Sequence, residues 1–268
     1  MTTIDVVVAG AAGRMGSRLV ACLHESPDLR PVAALEAPGH RSLGQDAGEV
    51  AGIGRLDVPL TSTPGDVITA NRVLVEFSAP APTLEHLRIV ADRGACAVIG
   101  TTGFSAAERD EIAALARRSA IMLAPNMSVG VTVALQVLAT MAKALGDEYD
   151  VEISEIHHRF KKDAPSGTAQ RMAEVLADAL GRNLDQVAVH GRHGLPGERT
   201  TKEIGIFSLR SGDVIGEHTV SFGTLGERLE LTHRAHSRDT FARGALRAIR
   251  FVAGHGPGLY SMHDVLGL

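Results

Sequence analysis

The segment VVVAGAAGRMGSRL constrains the fold of this chain more than any other. It sets Gly10, Gly13 and Gly16 between an apolar run, IDVVVAG, and a second run, RMGSRLVACLHE. The first run reads as a buried strand. The second carries Met15, Leu19, Val20 and Leu23 at the spacing of one helix face. A strand that turns straight into a helix through glycines needs a tight turn and close helix–strand packing. The free N–H groups and partial positive charge at the helix start then suit a phosphate. The common dinucleotide fingerprint is GxGxxG, and here the middle glycine lies one place later. We read Gly10, Ala11, Ala12, Gly13, Arg14 and Met15 as a pyrophosphate-binding turn. The alternative is a plain strand-to-helix turn that uses glycine for sterics alone.

The alternation continues beyond this turn. RPVAALE, NRVLVEFS, ACAVIGTT and AIMLAPN read as further strands with helices between them. Ser105 and Glu108 form a capping box before IAALARR. Strands and helices at this spacing predict a parallel sheet covered on both faces. Ligands on such sheets lie beyond the carboxyl ends of the strands. Glu36 stands at the end of the second strand, where a carboxylate accepts hydrogen bonds from ribose hydroxyls. Gly100, Thr101 and Thr102 end one later strand, and Ala124, Pro125, Asn126 and Met127 follow another. Small side chains and hydroxyls at these points suit a flat nicotinamide ring, though ordinary turns favour the same residue types.

Past about residue 126 the rhythm changes. SVGVTVALQVLATMAKALG predicts a long, largely buried helix, ended by Lys143 and Gly146. YDVEISEIHH reads as a strand, and GTAQRMAEVLADAL as a helix stopped by Gly181. Three β-like runs follow, TKEIGIFSLRSG, DVIGEHTVSF and ERLELTHRAH. Val214, Gly216, His218, Val220 and Phe222 alternate onto one face, and GTLGE predicts a hairpin, so the last two strands pair antiparallel. SRDTFARGALRAIRFVAG predicts a last helix that folds back on the first domain. The expected fold class is α/β. An N-terminal Rossmann-like parallel-sheet domain takes residues 1–126 and 238–268, and a C-terminal α+β domain with an open mixed sheet takes residues 127–237.

The formal net charge of −4 argues against nucleic acid as a bulk partner. Cys22 and Cys96 lie in apolar runs with no CxxC pairing, which reads as two small buried side chains in a reducing compartment. No cluster with metal-ligand spacing is present, so no metal is expected. No run approaches the roughly 18 apolar residues of a membrane span, and no signal peptide is read, so the cytoplasm is the expected location.

The chemistry concentrates in EIHHRFKKDAPSGTA, Glu155 to Ala169. Neighbouring strand side chains point to opposite faces, so His157 shares a face with Ile153 and Glu155 while His158 points away. Either the two histidines have separate roles, or the strand ends here and the loop re-aims one of them. Arg159, Lys161 and Lys162 create a positive field, and Asp163 can brace one of them. Gly167 and Thr168 open a helix whose free N–H groups can hold a carboxylate. Two imidazoles, a lysine and a helix start together suit a small, multiply anionic substrate that also exchanges a proton. A basic surface turn before a helix is the plainer reading.

This loop resembles the hallmark of the dihydrodipicolinate reductases, also called 4-hydroxy-tetrahydrodipicolinate reductases, of the diaminopimelate and lysine pathway. VAGAAGRMG, VIGTTGF, SVGVTVAL, GEHTVSF and ERLELTHRAHSRDTFARGA are similar to further segments of that family, in order along the chain. The resemblance implies reduction of a cyclic unsaturated dicarboxylate by NADH or NADPH. It implies His157 as the proton donor or acceptor beside the ring and Lys161 as a proton donor. His158, Gly167 and Thr168 would hold the substrate carboxylates, and a homotetramer would form through the sheet of the second domain. One departure stands out. Relatives that take NADPH often carry an arginine after the strand-end acid, where this chain has Ala37; His40 and Arg41 follow a few residues later. Another NAD(P)-dependent reductase on the same plan, or a non-catalytic cofactor-binding regulator, would lack this intact loop.

Overall fold

The computed structural model describes residues 3–268. It divides into two compact units, one running to Val129 and resuming at Arg238–Leu268, the other Gly130–Ser237. In chain order the first unit supplies β1 (Ile4–Ala9), α1 (Arg14–His24), β2 (Leu29–Leu35), α2 (Ala47–Ala51), β3 (Leu60–Thr61), α3 (Pro64–Val67), β4 (Arg72–Glu76), α4 (Pro80–Arg93), β5 (Cys96–Ile99), α5 (Ala106–Leu115) and β6 (Ala120–Leu123). Then come α6 (Val129–Leu145), β7 (Asp150–His157), α7 (Gly167–Ala179), α8 (Leu184–Val187), β8 (Ala188–Val189), β9 (Ile204–Arg210), β10 (Gly216–Thr224) and β11 (Glu227–Ala235). α9 (Asp239–Ala253), β12 (Gly258–Tyr260) and α10 (Met262–Leu266) return to the first unit.

The first unit is a seven-stranded sheet in the order β12-β6-β5-β4-β1-β2-β3. Every pairing in it is parallel. Val6 and Val8 of β1 sink into one apolar cluster with Leu19 and Leu23 of α1 and Ala245 and Ile249 of α9. Val7 and Ala9 point the other way, among Leu84, Leu87 and Val90 of α4 and Ile112 of α5. A strand buried on both faces has no polar side to show, which is why it reads as an unbroken apolar run. Ser105 caps α5 with the reciprocal bonds of the capping box. α9 belongs to this unit through its buried face and through Arg18, which donates twice to Asp239 at 2.6 and 2.8 Å.

The second unit is a five-stranded sheet in the order β11-β10-β7-β9-β8. β10 pairs antiparallel with β11 and with β7, while β9 pairs parallel with β7 and β8, so the sheet is mixed. Gly216, His218, Val220 and Phe222 are buried in alternation along β10, as their spacing predicts. The hairpin turns through Leu225 and Gly226, with φ +99° at Gly226. The strand starts at Gly216 rather than earlier, because Val214 closes a turn by donating to the Ser211 carbonyl.

The long helix α6 corrects two expectations. It is not largely buried: Val131, Thr132, Ala134, Leu138 and Ala142 are, while Val133 and Val137 stay 42% and 39% exposed. Its buried residues recur every three or four positions, one stripe packed on the sheet with Met172 and Leu176 of α7. Val129–Glu148 is also long and apolar enough to cross a membrane by length and composition alone, so the reading that no run approaches that length does not hold.

Candidate active site

β7 places alternate side chains on one buried face, so Val151, Ile153, Glu155 and His157 point inward together. The His157 Nδ1 lies 2.6 Å from Glu155 Oε2. Glu155 is fully buried. The Arg210 guanidinium, from the end of β9, donates to both Glu155 oxygens at 2.9 and 3.1 Å. The Ser166 N–H donates to Glu155 Oε1 at 3.2 Å. Ser166 is the N-cap of α7, and its hydroxyl accepts from the Ala169 N–H. The same hydroxyl meets His218 Nε2 at 2.9 Å. His218 lies opposite Glu155 in the β7–β10 register and edge-on to the His157 ring, with centroids 5.1 Å apart.

The electrostatics follow from burial and from these partners. Burial pushes the Glu155 carboxyl up, but bonds from Arg210, His157 and Ser208 outweigh it and hold the group below the usual carboxylate range. Burial pushes His157 down and outweighs the opposing pull of Glu155. Burial, aided by the charge of His157, pushes His218 down to about 4. An ionised carboxylate only accepts hydrogen bonds, so His157 Nδ1 carries the proton shared with Glu155. Its Nε2 is then the ring nitrogen left with a lone pair able to take up a proton. A Cβ at Gly216 would lie 3.0 Å from that Nε2, so glycine keeps the edge of the ring uncrowded.

The loop after β7 carries the other groups singled out in the sequence. Lys161 Nζ donates to both oxygens of Asp163 at 2.9 Å, which holds the Asp163 carboxyl below its ordinary range. Asp163 is tied in turn to Arg210, which donates to its carbonyl at 2.6 Å. His158 leaves the strand, and its Nδ1 is buried without a hydrogen-bond partner. Gly167 and Thr168 form the first turn of α7, a 13-residue helix capped by Ser166. His157, Lys161, Gly167 and Thr168 therefore belong to one connected cluster, joined through Glu155, Ser166, Asp163 and Arg210.

The residues expected to meet the cofactor lie in the first unit. Gly10 has φ +66°, and Gly13 is the N-cap of α1. A Cβ on Gly16 would stand 2.1 Å from the Gly10 carbonyl, so only glycine lets α1 start this close to the strand. Ala11 is buried in the turn, and Arg14 is exposed in the first turn of α1, with Met15 half-buried beside it. Glu36, at the end of β2, accepts the Ala12 N–H at 3.1 Å and the Ala37 N–H at 3.0 Å. This turn fits a dinucleotide: Gly10, Gly13 and Gly16 leave its backbone open to close approach, and the acid is fixed beside it. Gly100 packs under the Phe77 ring, where a Cβ would come within 2.2 Å. Thr101 is buried, and its hydroxyl bonds the Ser78 N–H and the Thr83 hydroxyl, so it braces the strand ends. Thr102 and Pro125 are exposed, and Asn126 accepts the Ser128 N–H at 2.8 Å. Ala124 and Met127 are buried in the core of the unit. Among the described residues, no group of three His, Cys, Asp or Glu side chains could hold a metal ion.

Glu155, Ser166, Arg210 and His218 join this cluster, and the sequence reading assigned none of them a role. Glu155 had a signal, since it shares the His157 face two residues away. Arg210 had none, because it reaches Glu155 through the parallel pairing of His157 with Arg210, some fifty residues apart.

Comparison with known proteins matches nearly the whole chain. The N-terminal family model of dihydrodipicolinate reductase covers residues 4–127, and the C-terminal one covers residues 130–266. The chain is 51% identical over 265 residues to the 4-hydroxy-tetrahydrodipicolinate reductase of Citrifermentans bemidjiense, covering 99% of each chain. It is 50% identical over 268 residues to that of Hahella chejuensis, covering all of both. A dipicolinate-bound dihydrodipicolinate reductase from Paenisporosarcina superposes with a TM-score of 0.75 at 25% identity, covering 98% of this chain and 99% of the other. An amine dehydrogenase from Mycobacterium smegmatis shares the fold at 17% identity, with a TM-score of 0.60, over 97% and 95% of the two chains. Family models matching both segments and a half-identical relative of equal length agree with the connected His157–Lys161 cluster: the chain belongs to the dihydrodipicolinate reductase family.

Proposed function

We propose that this chain reduces 4-hydroxy-tetrahydrodipicolinate, by way of dihydrodipicolinate, to tetrahydrodipicolinate with NADH or NADPH, in the diaminopimelate and lysine pathway. The observation that carries the reading is the buried Glu155–His157 pair joined through Ser166 to the start of α7. It sets a proton-exchanging nitrogen and the positive end of a helix in one hydrogen-bonded cluster, which suits a dicarboxylate ring. When bound, the dihydronicotinamide supplies the hydride. His157 exchanges a proton at Nε2, and Lys161 donates one from Nζ. His158, Gly167 and Thr168 hold the carboxylates. On the cofactor side, Gly10, Ala11, Ala12, Gly13, Arg14 and Met15 hold the pyrophosphate, and Glu36 the ribose. Gly100, Thr101, Thr102 and the Ala124–Met127 segment border the nicotinamide.

We assign the enzyme to the cytoplasm, working as a homotetramer built on the open sheet of the second unit. β11 is a nine-residue edge strand with Leu229 47% exposed, and such an edge needs covering. The test is NADH oxidation that depends on freshly prepared pathway substrate. Lys161→Ala should lower kcat by about 100- to 10,000-fold and leave NADH affinity unchanged. Near-normal turnover in that variant would remove Lys161 from the chemistry, and a wild type that oxidises no NADH with this substrate would remove the reaction.

A further inference from the structure

We propose that Glu155 is the positioning residue of this site: its single buried carboxylate holds the His157 ring as the Nδ1–H tautomer and ties it to Arg210 and to the start of α7. The proposal rests on reading His157 as the proton-exchanging group.

The geometry accounts for both oxygens. Oε2 takes His157 at 2.6 Å and Arg210 at 2.9 Å. Oε1 takes Arg210 at 3.1 Å and the Ser166 N–H at 3.2 Å. An ion pair that served stability alone would need only Arg210. The imidazole and the helix-cap N–H are additional, and they tie the carboxylate to His157 and to the start of α7. Arg210 extends the tie by donating to the Asp163 carbonyl, and Asp163 holds Lys161. One carboxylate thus fixes the relative positions of the proton-exchanging imidazole, the helix start and the lysine loop. A carboxylate behind an imidazole also selects which nitrogen carries the proton, leaving the other free to react.

The charged and titratable groups facing His157 are Glu155 on β7, Arg210 on β9, Lys161 on the loop and His218 on β10. His233 on β11 stands behind His218, and Asp163 lies beside Lys161. Glu155 is the anion that touches the ring, and Arg210 and Lys161 are the cations. Removing Glu155 should therefore make His157 release its proton at lower pH. Removing Arg210 should make it hold the proton to higher pH. General damage to packing gives no such pair of opposite shifts.

The experiment uses the full chain as Glu155→Gln, Arg210→Gln and His157→Gln. Histidine nitrogen NMR follows the titration and tautomer of His157, alongside the pH profile of kcat. In Glu155→Gln we expect the His157 titration to move to lower pH, the fixed Nδ1–H tautomer to be lost, and kcat to fall about 10- to 100-fold with KM little changed. In Arg210→Gln the titration moves to higher pH. An unchanged tautomer and titration in Glu155→Gln, or two shifts of the same sign, overturns the proposal. If Glu155→Gln does not fold, Arg210→Gln decides, because an upward shift supports the proposal and no shift overturns it. Full activity in His157→Gln would end the reading of His157 as the proton-exchanging group. The tautomer readout would still report on Glu155 separately.

Discussion

At the scale of single residues, burial sets which groups respond to pH and which ligand charge is accepted. His218 shows the first effect. Burial lowers it from 6.5 to about 4 in the folded chain. Below pH 6.5 the unfolded chain binds a proton there that the folded chain refuses until about 4. The unfolded state therefore holds more protons in that window, so stability is complete above it and declines as pH falls through it. His157 and His233, both lowered by burial, act in the same direction. Calorimetric melting temperatures should fall as pH drops from 6.5 towards about 4, and His218→Gln should flatten the slope. Equal slopes in the two proteins would refute this. Glu36 shows the second effect. Its carboxylate is pinned by the Ala12 and Ala37 N–H groups, so it cannot swing away from a ribose phosphate. Repulsion at close range is on the order of 1–4 kcal/mol, and Ala37 offers no cation to offset it. NADH should be used at least as well as NADPH, and Ala37→Arg should raise kcat/KM for NADPH. A wild type that favours NADPH by about tenfold or more would mean that a base such as Arg41 reaches the phosphate.

At the scale of elements, the β1–α1 turn makes the sharpest prediction. In Gly16→Ala the new Cβ would meet the Gly10 carbonyl at 2.1 Å and Ala11 backbone atoms at 2.6 and 2.8 Å. All three are backbone and yield only if the turn opens. Overpacking of this kind costs about 1–3 kcal/mol, and here it also distorts the cradle. Melting temperature and NADH affinity should both fall, and more than in Gly13→Ala, whose Cβ would meet the same carbonyl at 3.1 Å. A Gly16→Ala protein that binds NADH normally would show that this turn is not the cofactor cradle. The same turn was readable from sequence because sterics leave glycine alone at such a spot. The strands around it were readable because burial on both faces leaves an unbroken apolar run. The hairpin before β11 announced itself through its glycine and the alternation on either side. Other features carried no local signal. β8 and β12, with two and three residues, are too short to show a period. The apolar content of α6 does not say which of its faces the sheet covers. In the site, the loop from His157 to Thr168 was visible because its residue types are unusual together. The brace from Arg210 depends on a parallel strand pairing that no neighbouring residue announces.

At the scale of the whole molecule, the second unit is an insertion into the first. The chain leaves the first unit at Val129 and returns at Arg238, so α9, β12 and α10 complete a fold begun far earlier. This return is structural. Ala242, Ala245, Ala248, Ile249 and Val252 of α9 are fully buried, and fully burying a residue the size of Ile249 or Val252 is worth about 1.5–3 kcal/mol. β12 also closes the sheet edge by pairing with β6. A fragment of residues 1–129 should therefore expose this surface, melt without a cooperative transition and fail to bind NADH. The ends to be rejoined lie close, because Gly244 packs against the Met127 carbonyl so tightly that a Cβ there would come within 1.7 Å. The five helical steps from Asp239 to Gly244 span about 7.5 Å, a gap that a flexible linker of about six residues crosses easily. Residues 1–129 joined to 238–268 by such a linker should fold cooperatively and bind NADH, while reducing no substrate, since His157 and Lys161 are gone. Calorimetry and NADH titration of the two proteins decide the matter. If the 1–129 fragment folds and binds as well as the rejoined one, α9 is an accessory and the insertion reading fails.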